Sequence, residues 1–196
     1  MLQHYREEGA QHAAPLLLLL VAAACSGPQR DASAPAARAG QLFTLLPSSY
    51  TGIDFANRLT ETRDFNIFTY RNFYNGGGVA IGDVSGDSLP EIVLTSNQGG
   101  PRLFLNLGHF RFRDVTEEAG IAELERWTTG VTIADVNGDG RLDIYVCHAG
   151  LKSGAARANT LYINQGLRDG IPRFREMAAQ YGIADTGYST QAAFFD

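Results

Sequence analysis

An internal repeat constrains the fold of this chain more than any other feature of its sequence. The segment "GVAIGDVSGDSLPEIVL" at 78–94 aligns without gaps with "GVTIADVNGDGRLDIYV" at 130–146, and eight of the seventeen positions are identical. The match resumes further on, where "LFLN" at 103–106 corresponds to "LYIN" at 161–164. Self-similarity of this kind indicates stacked copies of one supersecondary unit. The sequence therefore predicts a repeat architecture.

Each copy contains four short strand signals, which are rich in Val, Ile, Tyr and Phe and are separated by Gly, Asn, Asp or Pro. They are "VAIG", "EIVLTS", "RLFLN" and "FRFRDV" in the first copy, and "VTIA", "DIYVCH", "TLYIN" and "RFREM" in the second. Four antiparallel strands in a unit of this size are typical of one blade of a β-propeller. A β-sandwich is the alternative, but a sandwich does not require a repeat. We therefore predict an all-β fold made of four-stranded antiparallel blades.

The repeat also divides the chain. We assign the first repeat to 78–121 and the second to 122–183. A third copy is expected to start within 184–196, because "TQAAFFD" at 190–196 aligns with "TGVTIAD" at 129–135. Propellers close with about four to eight blades. The sequence is therefore expected to be part of a longer protein, a partial propeller of two blades and the start of a third.

The segment "DVNGDGRLD" at 135–143 lies between the first two strand signals of the second copy. Hard cations such as Ca²⁺ take about six to eight oxygen ligands from a loop that bends sharply, and the two glycines of this segment permit such a bend. An EF-hand needs a glutamate at the twelfth position of its loop, and here that position is Val146, inside a strand signal. The predicted ligands are Asp135, Asn137, Asp139, the backbone carbonyl of Arg141, and Asp143.

The corresponding segment of the first copy, "DVSGDSLPE" at 83–91, offers a poorer set of ligands. Ser85 replaces the asparagine, Ser88 replaces the second glycine, and Glu91 replaces the last aspartate. Two interpretations stay open, a weaker metal site and an empty structural turn. The ligands of a weaker site would be Asp83, Ser85, Asp87, the backbone carbonyl of Leu89, and Glu91.

The segment 130–146 closely resembles the FG-GAP, or VCBS, repeat of propellers of the integrin α-chain type. This resemblance implies loops that bind Ca²⁺ between the first two strands of a blade. The longer run that starts "NIFTYRNFYNGGGVAIGDV" at 66 is similar to bacterial exported proteins of the cartilage-acidic-protein and ASPIC/UnbV group. In that group an ASPIC/UnbV module follows the propeller, and nothing in this sequence matches that module.

The beginning of the chain predicts export. Its apolar run "AAPLLLLLVAAA" is too short to cross a bilayer core of about 30 Å and ends in small residues, as a signal peptide does. We assign the signal peptide to 1–24. Cys25 follows at once and resembles the acylated cysteine of a bacterial lipobox, although an ordinary signal with an incidental cysteine is the alternative. Residues 25–45 are then a lipid-anchored flexible tether, and residues 46–77 lead into the propeller.

Composition narrows the expected function. A net charge of −5 gives no sign of the basic surface that nucleic-acid binding needs. No HExxH pair, P-loop, GxSxG elbow or CxxC pair occurs, so no catalytic residue is assigned, and a lone histidine such as His148 is more often structural. If Cys25 carries lipid, Cys147 has no disulfide partner, and we expect it to be buried.

We therefore expect a calcium-binding propeller in the bacterial cell envelope, held to the membrane by its lipid anchor alone, or secreted if Cys25 is not acylated. It would bind an extracellular protein or a glycan. The alternative is the N-terminal part of an exported carbohydrate-active propeller enzyme.

Overall fold

The computed structural model of the protein describes residues 40–123 and 126–195. Its regular elements are almost entirely β-strands. In chain order they are α1 (Ser48–Thr51), β1 (Val79–Gly82), β2 (Glu91–Ser96), β3 (Gly100–Asn106), β4 (Phe112–Asp114), α2 (Thr116–Ala119), β5 (Trp127–Ala134), β6 (Asp143–Ala149), a 3-10 turn (Gly154–Arg157), β7 (Thr160–Arg168) and β8 (Ile171–Glu176). Among these residues, no helix is long and apolar enough to cross a membrane.

The strands form two four-stranded antiparallel sheets, ordered β1-β2-β3-β4 and β5-β6-β7-β8. Within each sheet, strands that are consecutive along the chain pair with each other. In the first sheet Val93 lies opposite Leu103, and in the second Ile144 lies opposite Tyr162. Such a meander of four strands is the unit of a propeller blade. The prediction of an all-β fold made of four-stranded antiparallel blades is confirmed.

Two strands of the second sheet are longer than their sequence signals. Strand β5 begins at Trp127, before the signal "VTIA", and its pairing with β6 shifts register between Thr128 and Val131. Strand β7 continues to Arg168 and shifts register against β8 after Asn164. A bulge of this kind interrupts the alternation of side chains along a strand. The period-two pattern therefore finds only the regular part of each strand.

The two sheets pack against each other through one apolar core. Branched aliphatic side chains of β2, β3, β5 and β6 meet in it, and the most buried of them are 0–2% exposed. Burial of each such side chain contributes about 1.5–3 kcal/mol, so this core fixes how the two blades lie relative to each other. Its most buried strand residues are Val93, Leu103, Val131, Ile144 and Val146.

Strand β6 is buried along its whole length. Its even-numbered residues Ile144 and Val146 join the core between the sheets. Tyr145 and Cys147 point to the opposite face, where they form a second cluster with side chains of β7. Burial raises the pKa of the Cys147 thiol to about 11. The cysteine is therefore a small buried side chain, as the sequence predicts.

Glycines at equivalent positions of the repeat set the spacing of the inner strands. A Cβ on Gly78 would lie 3.0 Å from the Cα of Gly130, and a Cβ on Gly130 would lie 2.4 Å from the carbonyl oxygen of Thr190. The chain near Thr190 thus lies against the second blade as the second blade lies against the first. This placement follows the alignment of 190–196 with 129–135. The described part of that last segment contains no strand, so the third blade stays a prediction.

The segment before the first blade packs on the start of β5. Tyr70 and Phe73 form an aromatic cluster with Trp127, and Phe65 lies at their edge. The ring centroids of Phe65 and Trp127 are 4.7 Å apart in an edge-to-face arrangement, which is a favourable geometry for aromatic pairs. The lead-in segment 46–77 therefore contributes a third apolar cluster to the fold.

Candidate metal loops

The loop between β5 and β6, residues 135–143, is wound around the carboxylate of Asp135. Its Oδ1 accepts the N–H groups of Gly138 at 2.8 Å and Asp139 at 3.2 Å, and its Oδ2 accepts the N–H of Gly140 at 2.8 Å. The two glycines have φ angles of 73° and 80°, a region that glycine enters without steric cost. The N–H donors, that of Gly140 first, hold the pKa of Asp135 below its usual range. The predicted bend is therefore present, and Asp135 forms its centre.

Asn137 and Asp139 occupy the third and fifth positions and bond to each other across the bend. Nδ2 of Asn137 donates to Oδ2 of Asp139 at 3.0 Å, and Oδ1 of Asn137 accepts the N–H of Asp139 at 2.9 Å. Asp139 also forms a salt bridge with Arg141, in which Nη2 and Oδ2 are 2.6 Å apart. Arg141, whose carbonyl is a predicted ligand, thus places its own positive charge on one of the predicted carboxylate ligands.

Asp143, at the ninth position, is fully buried at the start of β6. Its Oδ2 accepts the N–H of Val136 at 3.1 Å, and its Oδ1 accepts the N–H of Asn164 at 2.8 Å. Desolvation is the main reason why its pKa is raised, and repulsion from Asp139 and Asp135 raises it further. Asp143 is therefore close enough to the other two carboxylates of the loop to be repelled by them.

The loop of the first blade, residues 83–91, has the same backbone. Oδ1 of Asp83 accepts the N–H groups of Gly86 at 2.7 Å and Asp87 at 3.1 Å, and its Oδ2 accepts that of Ser88 at 2.8 Å. Partial burial raises the pKa of Asp83, but these donors outweigh it and the pKa lies below its usual range. The two loops thus share the same pattern of backbone hydrogen bonds, with Asp83 in the place of Asp135.

Glu91 takes the place of Asp143 in the first blade. It is also fully buried, and its Oε2 accepts the N–H groups of Val84 at 2.9 Å and Ser85 at 3.0 Å. Desolvation raises its pKa. Ser88, however, has a φ of 72° where the second blade has a glycine, which is a strained conformation for a residue with a side chain. The first loop therefore keeps the shape of the second, with the hydroxyl of Ser85 in place of the amide oxygen of Asn137 and with some strain at Ser88.

The donor chemistry of loop 135–143 fits a hard cation, although its side chains do not converge on one point. Within the described residues, no group of three or more His, Cys, Asp and Glu side chains is placed so that it could hold a metal ion. The carboxylates accept backbone N–H groups instead, and Asp139 is occupied by Arg141. A divalent cation would offset the repulsion between the carboxylates. It would have to displace Arg141 from Asp139.

Two asparagines that the sequence analysis did not assign to the loops hydrogen-bond to the last acidic residue of each loop. Asn164 donates its backbone N–H to Asp143 at 2.8 Å, and Asn106 donates its own to Glu91 at 3.5 Å. In each case the side-chain Oδ1 accepts the N–H of the glycine two residues on, at 2.9 Å. The signal was present in the sequence, because "LFLN" and "LYIN" end on these two residues.

A buried polar cluster at the opposite end of the second blade was also missed. His148 is fully buried, and its Nε2 lies 3.1 Å from Oε2 of Glu123, whose side chain is 8% exposed. Tyr162 donates its hydroxyl to the other oxygen of Glu123. Burial raises the pKa of Glu123, but the hydrogen bond and charge of His148 outweigh it and the pKa lies below its usual range. The histidine is held inside the fold, in accord with a structural role.

Other predicted features lie outside the described residues. These are the signal peptide at 1–24, the acylated Cys25, the tether as far as residue 39, and Asp196.

A known family model matches the stretch that contains the two repeated loops. The family model of the FG-GAP-like repeat matches residues 83–146, a stretch that begins at Asp83 of the first loop and includes the whole of the second. This stretch is thus similar to the FG-GAP-like repeat, and the resemblance stated from the sequence is confirmed.

The curated relatives show a more specific similarity than the family model does. The chain is similar to cartilage acidic protein 1 of Homo sapiens, with 34% identity over 127 residues, and to that of Xenopus tropicalis, with 32% identity over 110 residues. The alignments cover 64% and 56% of this chain but only 18% and 16% of those proteins. Cartilage acidic protein 1 of Mus musculus is 33% identical over 104 residues. The chain therefore corresponds to less than a fifth of the length of the relatives that it matches.

Proposed function

We propose that this protein is an exported, calcium-binding propeller module that acts by binding a partner and not by catalysis. One observation carries the proposal. Two neighbouring blades present the same aspartate-centred loop, with acidic side chains at its first, fifth and ninth positions. Such repetition is unexpected for a polar turn that only has to reverse the chain, since many sequences can do that. It is expected for a loop that has to hold an ion.

Loop 135–143 is the stronger of the two proposed sites. Its ligands would be the carboxylates at the first, fifth and ninth positions, the amide oxygen of Asn137 and the carbonyl of Arg141. The ion would neutralise carboxylates that otherwise repel each other, and so would stiffen the connection between β5 and β6. Loop 83–91 would be the weaker site, because Ser85 replaces the amide and Ser88 strains the bend.

Calorimetric titration of the chelator-treated protein with Ca²⁺ tests this proposal. We expect binding of modest affinity, since extracellular modules commonly work at about 10⁻⁴–10⁻³ M. Ca²⁺ at a hundredfold excess over the dissociation constant should stabilise the fold by about 2.7 kcal/mol. Asp139→Ala should remove most of the heat, whereas Asp87→Ala in the poorer loop should remove less.

Arg141→Ala is the matched control for this titration. It removes the guanidinium that occupies Asp139 but keeps the backbone carbonyl that is a proposed ligand. We expect Ca²⁺ to bind this variant more tightly than the wild type. Unchanged Ca²⁺ uptake in Asp139→Ala would mean that loop 135–143 is only a polar turn.

We further propose that the protein is anchored in a bacterial envelope through an acyl chain on Cys25. The apolar run and the small residues directly before this cysteine support the proposal. Metabolic labelling with a fatty-acid analogue should mark the wild type and leave Cys25→Ser unmarked. Equal labelling of both proteins would refute the anchor.

The partner that we propose is an extracellular protein or a glycan. This proposal rests on export and on the absence of a catalytic motif in the sequence. The enzyme alternative gains no support from His148, which is fully buried and bonded to Glu123. If calcium shapes the binding surface, Asp139→Ala should weaken capture of the partner. Capture that survives this change would separate partner binding from the calcium loop.

A further inference from the structure

Asn164 makes several hydrogen bonds to loop 135–143, with both its backbone and its side chain. It is 1% exposed and lies in β7, behind loop 135–143. Its backbone N–H donates to Oδ1 of Asp143 at 2.8 Å, and its side-chain Nδ2 donates to the carbonyl of Leu142 at 3.1 Å. Nε of Arg141 donates to its carbonyl at 3.3 Å. Asn164 thus contacts the seventh, eighth and ninth residues of this loop.

The same side chain also reaches the other blade. Nδ2 of Asn164 donates to the carbonyl of Val84 at 2.8 Å. Val84 is the second residue of loop 83–91, and its own N–H donates to Oε2 of Glu91 at 2.9 Å. A continuous hydrogen-bonded path therefore runs from Glu91, the last acidic residue of the first loop, to Asp143, the last acidic residue of the second.

Asn106 is the residue of the first blade that corresponds to Asn164, and its hydrogen bonds show which bonds of Asn164 are local. Its Nδ2 donates to the carbonyl of Pro90 at 2.8 Å, and its Oδ1 accepts the N–H of Gly108 at 2.9 Å. These bonds match the local bonds of Asn164 to Leu142 and Gly166. Both partners, the acceptor Pro90 and the donor Gly108, are in the first blade, so these bonds make no connection between the two loops. The bond from Asn164 to Val84 is thus an addition to a shared local pattern.

We propose that Asn164 is a positioning residue that couples the two loops, so that order in loop 135–143 is transmitted to loop 83–91. A buried carbonyl that loses its donor is costly, and a buried amide that satisfies two loops at once gives each loop one preferred position against the other. The coupling itself needs no metal. Its effect on calcium rests on the proposed function: an ion bound in the second loop should also protect the first.

Hydrogen exchange measured by mass spectrometry tests the coupling. In chelator, Asn164→Ala should make amides of both loops exchange about tenfold faster, the effect of one buried hydrogen bond lost in each. Asn106→Ala, the matched control, should accelerate exchange in loop 83–91 and leave loop 135–143 unchanged. Asn164→Ser provides a second variant, since its hydroxyl is too short to reach Val84. Protection of β2 and β6 in the same measurement shows whether the blades are folded.

The effect of Ca²⁺ is measured by the same hydrogen exchange in proteins that carry Asp87→Ala. This substitution impairs Ca²⁺ binding by loop 83–91 itself. Added Ca²⁺ should then slow exchange in both loops when Asn164 is present, and in loop 135–143 alone when Asn164 is replaced. If Asn164→Ala leaves loop 83–91 unchanged in chelator, the coupling is refuted, whatever calcium does. If the coupling is seen in chelator but Ca²⁺ protects neither loop, the coupling stands and the proposed calcium site fails.

Discussion

The buried pair of Glu123 and His148 is expected to contribute strongly to the stability of the fold. Both side chains are almost completely enclosed, and Glu123 belongs to the connection between the blades while His148 ends β6. Removal of one partner from a buried pair leaves the other charged or polar group without compensation, which is strongly destabilising. The pair therefore ties the connection to the second blade.

The pair should also make stability depend on pH. The pKa of Glu123 is lowered below its ordinary value of 4.5 in the folded protein. The unfolded chain therefore binds more protons between the two pKa values, and the pair's contribution is complete above pH 4.5 and is lost as the pH falls through the folded pKa. Glu123→Gln should lower the free energy of unfolding by about 1–3 kcal/mol at neutral pH, and this difference should shrink in acid. Urea denaturation at several pH values measures it.

Glu118→Gln is the control for that series. Glu118 pairs with Arg113 on the surface, where both side chains are 45% exposed, and such pairs contribute about 0–1 kcal/mol. We expect this substitution to change the free energy of unfolding little. A difference between wild type and Glu123→Gln that stays constant into acid would show that the carboxylate is not held ionised by His148.

Among the secondary-structure elements and their connections, the two loops were predictable because the residues that define each loop lie within nine consecutive positions. The spacing of Asp135, Asp139 and Asp143 and the glycines between them give the bend directly. The strands were predictable where side chains alternate, as in β1 and β2. The repeat then gave the order of strands in each sheet, because a meander pairs each strand with its neighbour.

What the sequence did not predict depends on contacts between distant segments. The start of β5 lies beyond a bulge that breaks the alternation. The salt bridge of Arg141 with Asp139 depends on the orientation of a long side chain at a partly exposed position. The bond from Asn164 to Val84 joins residues 80 positions apart, and only the packing of the two sheets brings them together. Repetition in the sequence marked Asn164 as part of a pattern but not as a link between blades.

In the molecule as a whole, the two blades are joined both by a shared apolar core and by a hydrogen bond between their loops. The apolar core between the sheets fixes their relative position, and the loops of both blades are joined at one end by Asn164. The polar pair of Glu123 and His148 lies at the other end of the second blade. The relatives share this stretch as a small part of much longer chains.

Anomalous diffraction from crystals grown with Ca²⁺ is the decisive test of the proposal that loop 135–143 holds calcium. We expect an anomalous peak about 2.3–2.6 Å from carboxylate oxygens of Asp135, Asp139 and Asp143, with the guanidinium of Arg141 turned away from Asp139. The absence of a peak at saturating Ca²⁺, with the salt bridge between Arg141 and Asp139 still in place, would contradict it.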